Sequence, residues 1–112
     1  MREPEENTML QTKITDMLGL KHPLFQGGMA WVADAKLAAA VSNAGGLGLI
    51  GAAAAPADVV EQMILEAKSL TDKPFGVNVM LMSPYAAVGA QVCANQRVAV
   101  LTTGAGNPGK YM

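Results

Sequence analysis

The chain has 112 residues, enough for one domain, and a formal net charge of −1. Hydrophobic residues make up 51% of it but aromatics only 4%, which suits close helix–sheet packing better than bulky aromatic layers. The near-neutral charge gives no electrostatic footprint for nucleic acid or an anionic membrane; no stretch approaches the roughly 18 apolar residues of a membrane span, and the single cysteine excludes an internal disulfide.

Residues 1–12 read as a disordered, solvated acidic tail without the apolar core of a signal peptide. Met9 is an alternative start. A cytoplasmic location is the expectation, and the ordered domain is expected over 13–112. Thr15-Asp16-Met17-Leu18 suits a short helical turn. Pro23 then holds His22 extended and leads into a first strand, Leu24–Gln26. That strand runs into two adjacent glycines, Gly27-Gly28, whose missing side chains allow a flat or anionic group to approach the backbone.

A helix is expected from Asp34 to Asn43, with Leu37, Ala38 and Val41 as its apolar stripe and Asp34 favourable near its positive end. Gly45-Gly46 ends it, and Leu47–Ile50 is the second strand. Pro56 starts a second helix that presents Val59, Val60, Met63, Ile64, Ala67 and Leu70 on one face. Phe75–Met80 is the third strand. Ser83-Pro84 opens a third helix, running to about Gln96, and Val98–Thr102 is the fourth strand. Strand starts near 24, 47, 75 and 98 recur at a spacing that suits βα units, which points to an α/β barrel or a doubly wound sheet. Either architecture carries its ligand site at the C-terminal ends of the strands, here loops 26–31, 51–56, 78–84 and 103–109.

The pattern G-x-G-x-x-G occurs twice. In Gly46–Gly51 the apolar centre of the motif is itself the strand, so tight helix–strand packing explains it better than pyrophosphate binding. Gly104–Gly109 does follow a strand, and Asn107-Pro108 could cap and start a helix. It is therefore a candidate nicotinamide-nucleotide loop, although no ribose-binding acid follows it. Asn78 is a polar amide in an apolar strand. It either serves a heterocycle or ribityl chain, or is satisfied by neighbouring backbone. His22 lies at the end opposite the site and reads as a surface or capping residue. Cys93 reads as a buried structural thiol. Metal-ligand clusters, useful carboxylate pairs and Ser/His/Asp sets are absent, so neither a metal nor a catalytic residue is assigned.

Taken in order, Ile14-Thr15-Asp16, Pro23–Val32, Ala44–Gly48, Lys73–Asn78 and Thr102–Pro108 resemble the start of the FMN-dependent type II enoyl-acyl-carrier-protein reductases. These group with the nitronate monooxygenases, formerly 2-nitropropane dioxygenases. The resemblance covers about 14–112, and the Gln-Gly-Gly-Met-Ala-Trp-Val run leans towards the reductase branch. It implies the N-terminal portion, about four βα units, of a TIM (β/α)8 barrel with FMN at its C-terminal face. It carries Gly28, Met29, Ala30, Asn78 and Thr103 over as cofactor contacts, and Gly104, Ala105 and Asn107 as residues lining the substrate side.

NAD(P)H would be the reductant in the reductase branch, and the substrate a small molecule or an acyl-carrier-protein-linked enoyl chain. Alkyl nitronates are the substrates in the monooxygenase branch. Family members are full barrels of roughly 250 residues, and the resemblance places their active-site histidine and phosphate loops in later segments. The expectation is therefore a fragment that is not catalytically active alone and self-associates through open barrel edges. The alternative of another class is a small flavodoxin-like binding or assembly module.

Overall fold

The structure is a computed structural model that describes residues 11–111. The tail expected over 1–12 falls outside these residues, apart from its last two. Thr12 is not tail. It is the N-cap of helix α1 (Lys13–Leu18), where its hydroxyl accepts from the Thr15 amide and the Thr15 hydroxyl accepts from the Thr12 amide, a reciprocal capping box. Gly19 then ends α1 in the left-handed conformation at φ 69°.

Four parallel strands follow, β1 (Phe25–Gln26), β2 (Leu47–Ala53), β3 (Phe75–Met80) and β4 (Val100–Gly104), alternating with helices α2 (Ala35–Asn43), α3 (Ala57–Leu70) and α4 (Ala86–Gln96). Spatial order equals chain order, β1-β2-β3-β4. Each crossover advances one strand in the same direction. With the right-handed crossover rule, that puts all three helices on one face of the sheet. A flavodoxin-like sheet needs a reversal of order, and the described strands contain none; the architecture is an α/β half-barrel with one face open.

The core lies between the helices and the outward face of the sheet. Ile50, Ala52, Val77 and Val79 meet Ala35 and Ala38 of α2, Val60, Ile64 and Ala67 of α3, and Ala86 and Cys93 of α4. Leu37 and Val41, expected to form the α2 stripe, are only half-buried, whereas Ala35, Ala38, Ala39 and Ser42 form the buried face. The reason is proximity. A Cβ on Gly48 would lie 2.0 Å from the Ala38 carbonyl oxygen, so α2 rides directly on the β2 backbone. Ser42 seals the contact by accepting the Gly48 amide at 3.0 Å. The Gly46–Gly51 motif is thus a packing device.

Several boundaries shift from expectation. β2 extends through Ala53 because Gly51 and Ala53 still pair with Asn78 and Val79, across an irregularity at that end. α4 begins at Ala86, since Ser83 first makes a turn in which its hydroxyl accepts from the Tyr85 amide. β4 begins two residues late because Arg97 (φ 57°) closes α4 in the left-handed conformation, and the Val98 amide returns to the Cys93 carbonyl. Among the described residues no helix is long and apolar enough to cross a membrane.

Candidate active site

Residues on the open face are set by strand alternation and register. Gly51, Asn78 and Thr102 are partners across β2, β3 and β4. On that face the Thr102 hydroxyl donates to Asn78 Oδ1 at 2.8 Å. The Asn78 amide is therefore held by a side chain, an outcome between the two readings of the sequence. Among the described residues its Nδ2 has no hydrogen-bond partner, so one donor edge faces outward with its acceptor edge fixed.

The loop after β1 reaches this amide by passing over β2. It can do so because Gly51 has no side chain; a Cβ there would meet the Met29 backbone at 3.0 Å. A Cβ on Gly28 would lie 2.7 Å from Asn78 Cβ, so Gly28 sits directly against the amide. By contrast, Gly27 has nothing within 4 Å of its Cβ position. Among the described residues, the backbone amides of Gly28, Met29 and Ala30 donate to no one, while the Met29 carbonyl accepts from Val32 and Ala33. The result is a shallow cavity of about 240 Å³ lined by Gly28, Ala30, Gly51, Asn78, Gly104 and Ala105, among others.

Three of the four non-glycine residues with positive φ among the described residues are Trp31 (69°), Ala53 (48°) and Ala105 (57°). All three follow or end a strand on this side. L-residues pay about 1–2 kcal/mol for that conformation, and such strain concentrates at functional sites.

The candidates named from sequence divide clearly. Gly28, Ala30, Asn78, Gly104 and Ala105 come together around the cavity, with Met29 in the loop above Gly51. Thr103 does not share the Asn78 face. It neighbours Thr102 in an alternating strand and so points to the helix side; Thr102 is the hydroxyl that sequence reasoning missed. Asn107 lies outside the cavity lining, and its Oδ1 accepts from the Gly109 amide at 2.9 Å, shaping the turn into a 3-10 segment at Pro108–Tyr111.

Gln26 adds a brace. Its Nε2 donates to the carbonyls of Leu49, at 3.1 Å, and Gly27, tying the end of β1 to β2. His22 lies at the opposite end, where its amide and that of Lys21 donate to the Gly45 carbonyl. A second cavity there, about 250 Å³, is lined by Lys21, Lys73 and the C-terminal ends of α1 and α2. The lysines complement those negative helix ends, which is a structural role. Cys93 is buried, and desolvation pushes its thiol up to about 11, only partly offset by a backbone hydrogen bond. It is no nucleophile. No group of three or more metal-ligating side chains occurs among the described residues.

The sequence profile of the nitronate monooxygenase family matches residues 11–107. The chain belongs to that family. FabK from Thermotoga maritima superposes with a TM-score of 0.90 at 50% identity, over 93% of this chain and 33% of that one. A nitronate monooxygenase of Paraburkholderia phytofirmans is 48% identical over 68 residues, 61% of this chain and 19% of its own. The (3aS,4S,5R,7aS)-5-hydroxy-7a-methyl-1-oxo-octahydro-1H-indene-4-carboxyl-CoA dehydrogenase of Mycobacterium tuberculosis is 47% identical over 70 residues, 62% of this chain and 20% of its own. The chain spans about a fifth of the length of these curated relatives.

The residues present suit the ring of a flavin. Small residues floor the cavity, leaving room for a flat heterocycle. The Gly28–Ala30 amides and Asn78 Nδ2 have no hydrogen-bond partner among the described residues, so donors remain free near the cavity. Among the described residues, no cationic side chain lines the cavity.

Proposed function

We propose that this chain supplies the N-terminal part of an FMN site in an oxidoreductase of the type II enoyl-acyl-carrier-protein reductase branch, working with NAD(P)H. The observation that carries the reading is the packing of Gly28 against Asn78 across side-chain-free Gly51. Three backbone amides without a hydrogen-bond partner among the described residues, those of Gly28, Met29 and Ala30, and the Asn78 Nδ2 donor near them support this reading. FMN held by these residues would supply hydride-transfer chemistry between a nicotinamide and an enoyl double bond, with a proton completing the reduction. The protein's part is orientation and electrostatics. Gly28, Met29 and Ala30 bind the polar ring edge. Asn78, its rotamer fixed by Thr102, holds a donor at one atom of that edge. Gly104 and Ala105 border the side from which substrate enters.

The reductase branch is favoured because the likeness to FabK extends over nearly the whole chain at 50% identity. Nitronate oxidation is the second reading, supported by the 48% identical monooxygenase over the shorter stretch. The two separate in one assay on the protein that contains this chain. Oxidation of NAD(P)H driven by crotonyl thioester is expected. Oxygen uptake driven by propyl nitronate, with no enoyl reduction, would assign it to the monooxygenase branch instead.

A further inference from the structure

Gln26 ends β1 with its side-chain nitrogen donating to both the Leu49 and the Gly27 carbonyls. Both partners are acceptors, so the nitrogen of the amide, not its oxygen, must face them. The oxygen, Oε1, is buried and has no hydrogen-bond partner among the described residues. Burying an acceptor without a partner is unfavourable, and here it accompanies the placing of two donors.

The first donor fills a gap in the ladder. In a parallel pair, a bonded residue donates to the residue before its register partner and accepts from the one after it. Leu47 pairs with Phe25 and donates to the Leu24 carbonyl at 2.8 Å. Two residues on, Leu49 holds the next carbonyl in that row, and the main-chain donor due there is the Gly28 amide. β1 stops at Gln26, however, and the Gly28 amide donates to nothing among the described residues. Gln26 Nε2 stands in its place, 3.1 Å from the Leu49 carbonyl oxygen.

The second donor orients a peptide. The Gly27 carbonyl and the Gly28 N–H belong to one trans peptide unit and point in opposite directions. Gln26 is the register partner of Gly48, whose Cβ position meets Ala38 of α2, so Gln26 stands on the helix side of the sheet. Holding the Gly27 carbonyl on that side aims the Gly28 N–H at the open face, where Asn78 lies. Gln26 itself does not line the cavity.

We propose that Gln26 is a positioning residue whose side chain completes the β1–β2 ladder in place of Gly28, and so releases the Gly28 amide to the ligand. That the ligand is a flavin rests on the reading above; the release of the amide does not.

Amide hydrogen exchange on the 112-residue chain tests the release without any ligand. The Gly28 amide is expected to exchange as an unbonded one. The Gly51 amide, which donates to the Ala33 carbonyl at 2.8 Å, is expected to be protected at least about tenfold. A scalar coupling across the hydrogen bond from Gln26 Nε2 to the Leu49 carbonyl carbon is expected in the same sample.

Gln26→Met keeps the length and removes both donors. The Gly28 amide is then expected to fall back onto the Leu49 carbonyl and gain at least about tenfold protection. FMN quenching is expected to weaken at least about fivefold. The urea midpoint is expected to stay close to the native one, because the lost bond is replaced and the orphaned oxygen is gone.

A Gly28 amide already protected in the native chain overturns the proposal. So does one that stays unprotected in Gln26→Met while the urea midpoint falls, which would make Gln26 a brace and nothing more. Gained protection with unchanged FMN affinity overturns it too. If Gln26→Met does not fold, the native exchange and the coupling decide. If protection is gained but the native chain does not bind FMN, the flavin reading falls and the release of the Gly28 amide stands.

Discussion

Gly27 and Gly28 are neighbours with the same side chain, yet alanine is expected to act oppositely at the two. At Gly27 the new methyl has nothing within 4 Å, and the backbone there is not left-handed. The main effect is to restrict the unfolded chain, worth about 0.4–1 kcal/mol in favour of the fold. At Gly28 the methyl would lie 2.7 Å from Asn78 Cβ, 3.3 Å from Cγ and 3.4 Å from Nδ2. Ordinary contact begins at 3.4 Å, so something must move by about 0.7 Å, the difference between 3.4 and 2.7. Asn78 Cβ cannot swing away as a side-chain tip could, because β3 is paired on both sides and the amide is tied to Thr102.

The loop must therefore lift or the amide must turn. Lifting carries the Gly28–Ala30 donors away from the ring surface, and turning breaks the hydrogen bond to Thr102. Overpacking of this kind costs about 1–3 kcal/mol, and the displaced donors should weaken FMN by at least about tenfold, or ~1.4 kcal/mol. Urea unfolding and FMN fluorescence quenching measure the two effects. If the two variants have the same midpoint and the same FMN affinity, the packing of Gly28 on Asn78 is wrong.

Thr102→Val should release the Asn78 amide and weaken FMN binding severalfold, whereas Thr103→Val, on the helix side, should leave it within about twofold; the same quenching titration decides, and equal effects would refute the face assignment. Ala53→Gly should raise stability by about 1 kcal/mol, read as an upward shift in urea midpoint, because it relieves a left-handed alanine. Burial raises the Cys93 thiol from 9.0 to about 11, so the folded state holds its proton more tightly than the unfolded state. That contribution is fully present below pH 9.0 and is lost as pH rises through about 11. Urea midpoints across that window should fall less in Cys93→Ala than in the native chain, and the native thiol should resist alkylation until the chain unfolds.

Much of the fold was legible because its punctuation is local. Pro56, Gly45-Gly46 and Asp34 mark helix ends by their own backbone chemistry, and β3 stands where its apolar run stands. Gly48 was legible as a packing glycine because its motif lay inside a strand. The errors come from tertiary context. Neighbouring residues of a strand point to opposite faces, and in Val100-Leu101-Thr102-Thr103 two like side chains stand side by side, so nothing in the run shows which threonine faces the site. Only the register with Asn78 decides it. β2 outran its expected end because pairing with β3 carries Gly51 to Ala53, residues of poor strand preference. The left-handed backbone of Trp31 has no signal in a bulky side chain. The site itself was half legible: the double glycine and the polar amide stood out in sequence, but their contact across Gly51 belongs to the fold.

The central claim is that the loop after β1 and the Asn78 amide form one flavin surface. Amide proton–nitrogen correlation spectra of the labelled chain, with and without FMN, test it most directly. The expected result is shifts confined to the backbone amides of Gly28, Met29 and Ala30, the Asn78 side-chain amide and the Gly104–Ala105 turn. Shifts at Lys21, Gly45 and Lys73 instead, at the opposite end of the sheet, would contradict the account.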